Sequence, residues 1–257
     1  MQKNVFQIIK DAYLRAEKRI FFLDYDGTVV PFSINPENAL PEDKIINLIT
    51  NLTVVKENSV VIISGRDCEF LEAVFAEMKV TLVAEHGLFI RRPGSSWITT
   101  SHLHNEWKSA VRIVLEKFRQ RFSGSMIEEK KGSLAWHYRS SDVFPDSISL
   151  SKLRSDLFKI LSKYELEILN GKCVIEVKGK AVNKGSAALS LIRNHWHDFI
   201  LAAGDDVTDE YIFQALPKDA FSIKVGDGET AAKFCCLSIS ELEDVLRFII
   251  NQDHISQ

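Results

Sequence analysis

Ile20-Phe21-Phe22-Leu23-Asp24-Tyr25-Asp26-Gly27-Thr28 joins an apolar run to an acidic tail. Four apolar residues flanked by charge are too few for a helix, so they read as a buried parallel strand that delivers its tail to a sheet edge. Asp24 and Asp26, at i and i+2 of a strand end, can share one site. One can attack or bind a metal while the other handles protons. Gly27 lets the backbone turn sharply there. Asp-x-Asp-Gly strings also open turns and calcium loops, so the surroundings must decide between these readings.

Three further runs repeat the pattern. Residues 59–63 are apolar after Ser59 and end in Ser64-Gly65-Arg66-Asp67; residues 80–84 end in Glu85-His86-Gly87; residues 199–203 end in Gly204-Asp205-Asp206. Buried strands that finish in small, hydroxyl or acidic residues, mostly separated by helical patterns, describe an α/β protein with a doubly wound parallel sheet and its site at the strand carboxyl ends. That arrangement gathers Asp24, Asp26, Ser64, Asp205 and Asp206. Helices are expected over 4–17, 42–52 and 241 onward, the last with Ser240 and Glu243 spaced as a capping box. The excursion Pro31-Phe32-Ser33-Ile34-Asn35-Pro36 to Pro41 is placed to act as a flap.

From about 104 to 180 the rhythm changes, and an inserted α+β unit is expected. Two amphipathic helices run through Trp107 to Phe122 and Leu153 to Tyr164. Leu134, Trp136 and Tyr138 alternate with Ala135, His137 and Arg139, while Glu176 and Lys178 oppose Cys173, Ile175 and Val177. Such alternation predicts a half-exposed sheet with a polar face that could line a lid. The remaining parts, 1–103 and 181–257, form the main body.

A net charge of −3 argues against a nucleic-acid-binding surface. Lys3, Lys10, Asp11, Arg15, Glu17, Lys18 and Arg19 punctuate the N-terminus, and no long apolar run occurs, so a soluble, cytoplasmic chain without membrane contact is expected. Cys68, Cys173, Cys235 and Cys236 lack metal-site spacing and read as packing residues. His102, His104, His195 and His197 read as surface or packing residues, and Trp97, Trp107 and Trp196 as core or interface anchors.

Phosphoryl transfer needs a nucleophile, a proton donor for the leaving oxygen, cations around the phosphoryl group and usually magnesium. Asp24 is suited to attack phosphorus, and Asp26 to protonate the departing alkoxide and then deprotonate water. Mg²⁺ takes hard oxygen ligands, for which Asp24, Asp26, Asp205, Asp206 and Asp209 are the candidates. Ser64 and Lys184 would neutralise phosphoryl charge.

Asp24, Ser64, Lys184 and Gly204-Asp205-Asp206, in this order, resemble the four motifs of the haloacid dehalogenase superfamily. The resemblance implies a Rossmann-like core, an Mg²⁺-dependent aspartyl-phosphate mechanism, and a cap domain inserted at 104–180. More finely, DYDGT, ISGRD, AEHG, Trp136-His137-Tyr138-Arg139, Ile175-Glu176-Val177-Lys178 and Gly204-Asp-Asp-Val-Thr-Asp-Glu210 are similar to the trehalose-6-phosphate phosphatase family, especially the phosphatase portion of fused synthase/phosphatase proteins. The similarity implies a sugar phosphate substrate, possible association or fusion with a trehalose-phosphate synthase, and Glu85, Lys131, His137, Arg139, Glu176 and Lys178 as sugar-binding residues. Gly179 departs from the family, many members of which carry proline there. Two rivals stand beside this reading: a phosphatase of another sugar phosphate such as sucrose 6-phosphate, and a regulatory module that docks on a synthase.

Overall fold

The structure is a computed structural model describing residues 3–33, 38–101, 105–193 and 195–250. Of the predicted flap, residues 34–37 lie outside it, as do His102 and His104. The chain divides into two compact units, Met1–Ile98 with Asn183–Gln257, and Thr99–Val182.

In the first unit α1 (Lys3–Arg15) leads into β1 (Arg19–Asp24), followed by α2 (Asp43–Val54), β2 (Asn58–Ile63), α3 (Cys68–Phe75) and β3 (Thr81–Ala84). After a 3-10 turn at Glu85–Gly87 come β4 (Phe89–Arg91) and β5 (Ile98–Thr99). The eight-stranded sheet has the order β12-β11-β10-β1-β2-β3-β4-β5, where β10 (Phe199–Gly204), β11 (Phe221–Val225) and β12 (Phe234–Cys236) belong to the returning chain. Strands β12 through β3 are parallel, and β4 runs antiparallel to β3. Every residue of β1 is buried, as expected of a strand covered on both faces.

Alternation along β1 assigns its two faces. Ile20 and Phe22 join Val61, Ala202 and residues of α6 (Lys184–Arg193) and α7 (Val207–Ala215), including Ala188, Leu191, Ile212 and Phe213. Phe21 turns the other way, against Tyr13 of α1 and Phe199. Tyr25 continues on that face into edge contacts with Phe70 and Phe75 of α3. Strand order reverses at β1, since the chain moves outward through β2 and β3 on one side and through β10 and β11 on the other. Such a switch point opens a crevice beyond the strand carboxyl ends, where Asp24 and Asp205 lie.

The second unit carries a four-stranded antiparallel sheet, β6-β7-β9-β8, built from β6 (Met126–Glu129), β7 (Ser133–His137), β8 (Leu166–Gly171) and β9 (Val174–Gly179). α4 (Lys108–Arg121) and α5 (Ser147–Leu161) supply Val111, Leu115, Leu153 and Leu157 to a core shared with Leu134, Trp136, Ile175 and Val177. The predicted division of faces is present. The half-exposed character holds only in part: Ser133, Ala135, Glu176 and Lys178 on the polar face are buried, while His137 and Arg139 are half-buried.

Two local expectations are corrected. Helix α8 spans Ile239–Ile250, with Ser238 rather than Ser240 at its start: the Ser238 hydroxyl accepts from the Glu241 N–H at 3.2 Å, and the Glu241 carboxylate accepts from Leu237 N–H at 2.7 Å. Glu243 is instead buried and faces Lys44 and Arg247. Trp196 is 66% exposed and anchors no core. No described helix is long and apolar enough to cross a membrane.

Candidate active site

Three junctions of the first unit build the site. The β1 tail turns at Gly27, whose φ of 87° suits glycine; its N–H donates to Val30 O at 2.7 Å, and Val30 N–H donates to Tyr25 O at 3.0 Å. A Cβ at position 27 would sit 2.4 Å from Asp205 Cγ, so glycine also permits the third junction to approach the first. Asp24 is 3% exposed. Its Oδ1 accepts from Lys184 Nζ at 2.5 Å and its Oδ2 from Thr28 Oγ1 at 3.2 Å.

Lys184 opens α6, and its buried ammonium also donates to Asp209 Oδ1 at 2.8 Å. Asp209 is fully buried, and its Oδ2 accepts from the backbone N–H groups of Asp205 and Asp206 at 3.0 Å each. It therefore fixes both the lysine and the loop after β10. Lys224 of β11 holds that loop from behind, donating to Asp205 O at 2.6 Å. Asp24, Asp205 and Asp209 form a group able to hold a metal, with one carboxylate oxygen from each within 4.8 Å of the others.

Burial, then the Asp209 and Asp205 charges, push the Asp24 carboxyl well above its ordinary range, and Lys184 offsets only part of this. Burial works against the Lys184 ammonium, but the Asp209 and Asp24 carboxylates outweigh it and hold the lysine above its usual value. Asp24 and Asp209 share the Lys184 ammonium, and the Asp205 carboxylate stands beside them. Three hard oxygen donors gathered so closely suit a divalent ion such as Mg²⁺.

Two of the predicted metal ligands are placed elsewhere. Both Asp26 oxygens accept from the Arg66 guanidinium, at 2.5 and 2.8 Å. Asp206 caps α7, accepting from Val207 N–H at 2.6 Å and pairing with Asp209 in a capping box. Asp206→Ala is accordingly expected to cost about 1 kcal/mol in urea denaturation, the usual worth of a cap. Ser64, at the end of β2, is buried and accepts from Arg66 N–H at 3.1 Å, leaving its own proton to donate. Arg66, Thr28 and Lys224 escaped the sequence reading. Arg66 left a signal there as a cation two residues beyond a strand-end serine, and Thr28 as the last residue of the DYDGT motif.

The predicted sugar ligands divide in character. Glu85 is buried at the start of the 3-10 turn, with φ 46° and its N–H on Arg66 O at 2.9 Å. Within the second unit, His137 and Glu176 lie on one sheet face. His137 Nε2 is 2.7 Å from Glu128 Oε2, and Glu176 accepts from Ser133 Oγ at 2.5 Å and Lys130 Nζ at 3.4 Å. Burial raises the Glu128 carboxyl, but the His137 hydrogen bond and Lys130 outweigh it and bring it below the ordinary range. Glu128 and Lys130 thus belong to the same polar face, although neighbouring glutamates at 128 and 129 hid which one faces it. Arg139 donates to Lys172 O at 3.1 Å, and Lys131 is exposed. Lys178 departs from the expectation: its buried ammonium donates to Glu167 at 2.6 Å, to Gly179 O and to Val182 O, and so anchors the end of β9.

A doubly wound sheet whose switch point carries Asp24 against a helix-opening lysine, and an acidic loop from the next strand, is the haloacid dehalogenase fold. The trehalose-phosphatase family model matches residues 22–238, and this chain belongs to that family. It is 37% identical over 226 residues to a bifunctional trehalose-6-phosphate synthase/phosphatase of Thermoproteus tenax, covering 88% of this chain and 31% of the relative. It is 34% identical to a trehalose-phosphatase of Schizosaccharomyces pombe, covering 93% and 31%. The chain therefore spans about a third of the length of these curated relatives. Among solved structures, the C-terminal domain of Candida albicans trehalose-6-phosphate phosphatase matches with a TM-score of 0.89 at 29% identity, covering 96% of each chain.

Proposed function

We propose that this chain is an Mg²⁺-dependent phosphatase that hydrolyses trehalose 6-phosphate to trehalose and phosphate through an aspartyl-phosphate on Asp24. The observation that carries the reading is the Asp24 carboxylate held by Lys184 at the buried end of β1, inside a three-carboxylate group. The family match supports the substrate.

An Asp24 oxygen forms a bond to phosphorus as the bond from phosphorus to the sugar oxygen breaks, and Asp26 gives that oxygen its proton. Asp26 then takes a proton from water, the water oxygen bonds to phosphorus, and the Asp24 carboxylate leaves. Lys184 has three donors and spends two on Asp24 and Asp209, so the third serves a phosphoryl oxygen. The Ser64 hydroxyl donates to another. Mg²⁺, for which Asp24 and Asp205 are the proposed ligands with Asp209 behind them, neutralises phosphoryl charge when bound. Glu85, His137, Arg139 and Glu176 are the proposed sugar ligands, Lys131 joins them, and 99–182 is the specificity unit. The name of the Thermoproteus tenax relative supports a partnership with a trehalose-phosphate synthase.

The test is phosphate release with Mg²⁺ from trehalose 6-phosphate, sucrose 6-phosphate, glucose 6-phosphate and para-nitrophenyl phosphate. The expected result is a preference for trehalose 6-phosphate of about 10²-fold in kcat/KM, the scale of one or two buried polar groups left unsatisfied at about 1–3 kcal/mol each. Even activity over the panel would discard the substrate, and no activity on any would favour a regulatory module.

A further inference from the structure

We propose that Arg66 is a positioning residue for the proton transfers assigned to Asp26, an inference that rests on the phosphatase reading above. Its Nη2 and Nε donate to Asp26 Oδ1 and Oδ2 at 2.5 and 2.8 Å, a two-pronged pairing that fixes the carboxylate plane as a single contact cannot. The guanidinium is itself held. It lies 4.4 Å from the Phe70 ring centroid and 5.8 Å from that of Tyr25, two rings that meet edge to face. Its main chain is held as well, with the N–H on Ser64 Oγ and the carbonyl accepting from Glu85 N–H. A fork with this many constraints stores little freedom, so the carboxylate it grips has little either.

Pairing with Arg66 does not take Asp26 out of the chemistry. A carboxylate has about four lone-pair sites, and the fork occupies two of them. The others can carry the proton that Asp26 gives to the sugar oxygen as its bond to phosphorus breaks, and later the proton taken from water as the Asp24–phosphorus bond breaks. Misalignment of Asp26 then penalises substrates according to their leaving group. A sugar alkoxide cannot depart without a proton, whereas an aryl oxide can. The steady-state quantity to compare is kcat/KM, which covers the steps up to cleavage of the leaving group's bond to phosphorus.

Arg66→Ala is expected to lower kcat/KM for trehalose 6-phosphate about 30-fold more than for para-nitrophenyl phosphate, a part of the roughly 10²–10⁴-fold that general acid catalysis supplies, because Asp26 is misaligned and not removed. Arg66→Lys, which keeps the charge and loses the fork, is expected to fall between wild type and Arg66→Ala. In an Asp26→Asn background, Arg66→Ala should add nothing to the discrimination, because its effect passes through Asp26. Equal losses on the two substrates, or a further loss of discrimination in the double variant, would overturn the positioning role alone. A wild-type chain inactive on both substrates would remove the phosphatase reading and this inference with it.

Discussion

Asp24→Asn is expected to lower phosphate release from trehalose 6-phosphate by on the order of 10³-fold or more, the scale seen when a nucleophile acting as part of a unit is removed. The same substitution should leave the fold intact, and in cation-free buffer it should raise the midpoint of thermal unfolding or leave it unchanged. Burial and the Asp209 and Asp205 charges raise the Asp24 carboxyl in the folded chain, so the folded state holds that proton more tightly than the unfolded one. Above the raised value, the ionised carboxylate opposes folding, and asparagine removes that opposition while keeping the shape. Thermal melts at neutral pH without divalent cations, beside activity assays, check both halves. A variant that loses activity by unfolding would contradict the assignment.

Lys184→Met should act in the opposite sense on stability. The ammonium is the cation that contacts both Asp24 and Asp209, each buried. Removing one partner of a buried ionic group leaves uncompensated charge, at a cost of about 3–5 kcal/mol. Without the lysine the Asp24 carboxyl loses the charge that offsets its burial and is driven further upward, so the folded variant binds more protons than its unfolded chain and loses stability as pH rises. Urea denaturation without divalent cations should therefore show a larger deficit against wild type at pH ~8 than at pH ~5, above and near the ordinary carboxylate range. A deficit below about 1 kcal/mol at both pH values would place the lysine outside the electrostatic centre of the site.

Much of this was legible in the sequence. The strand ends at Asp24, Ser64 and Gly204 stand out because each apolar run stops abruptly at a small, hydroxyl or acidic residue, and a doubly wound sheet then brings those stops together. Lys184 needed the family motif, since one lysine at a helix start has many possible roles. What sequence could not resolve were choices between equivalent patterns. Ser238-x-x-Glu241 and Ser240-x-x-Glu243 both satisfy a capping box, and only the position of the β12 end selects the first. Asp205, Asp206 and Asp209 are equally acidic on paper, yet Asp206 is turned to the α7 N–H groups while Asp209 is buried beneath the loop. Alternation in β7 and β9 assigned side chains to faces correctly, but it carries no information about whether the polar face is covered. The Asp26–Arg66 pair is similarly invisible, because it joins residues forty positions apart.

The most direct test of the account is to identify the atom that carries the phosphoryl group. Chain quenched during turnover of trehalose 6-phosphate with Mg²⁺ and treated with borohydride should yield a peptide in which residue 24 has been reduced to homoserine, as an acyl phosphate requires. The modification should depend on substrate and be absent from Asp24→Asn. Steady phosphate release with residue 24 unmodified, or with reduction at Asp26 or Asp205 instead, would contradict Asp24 as the nucleophile.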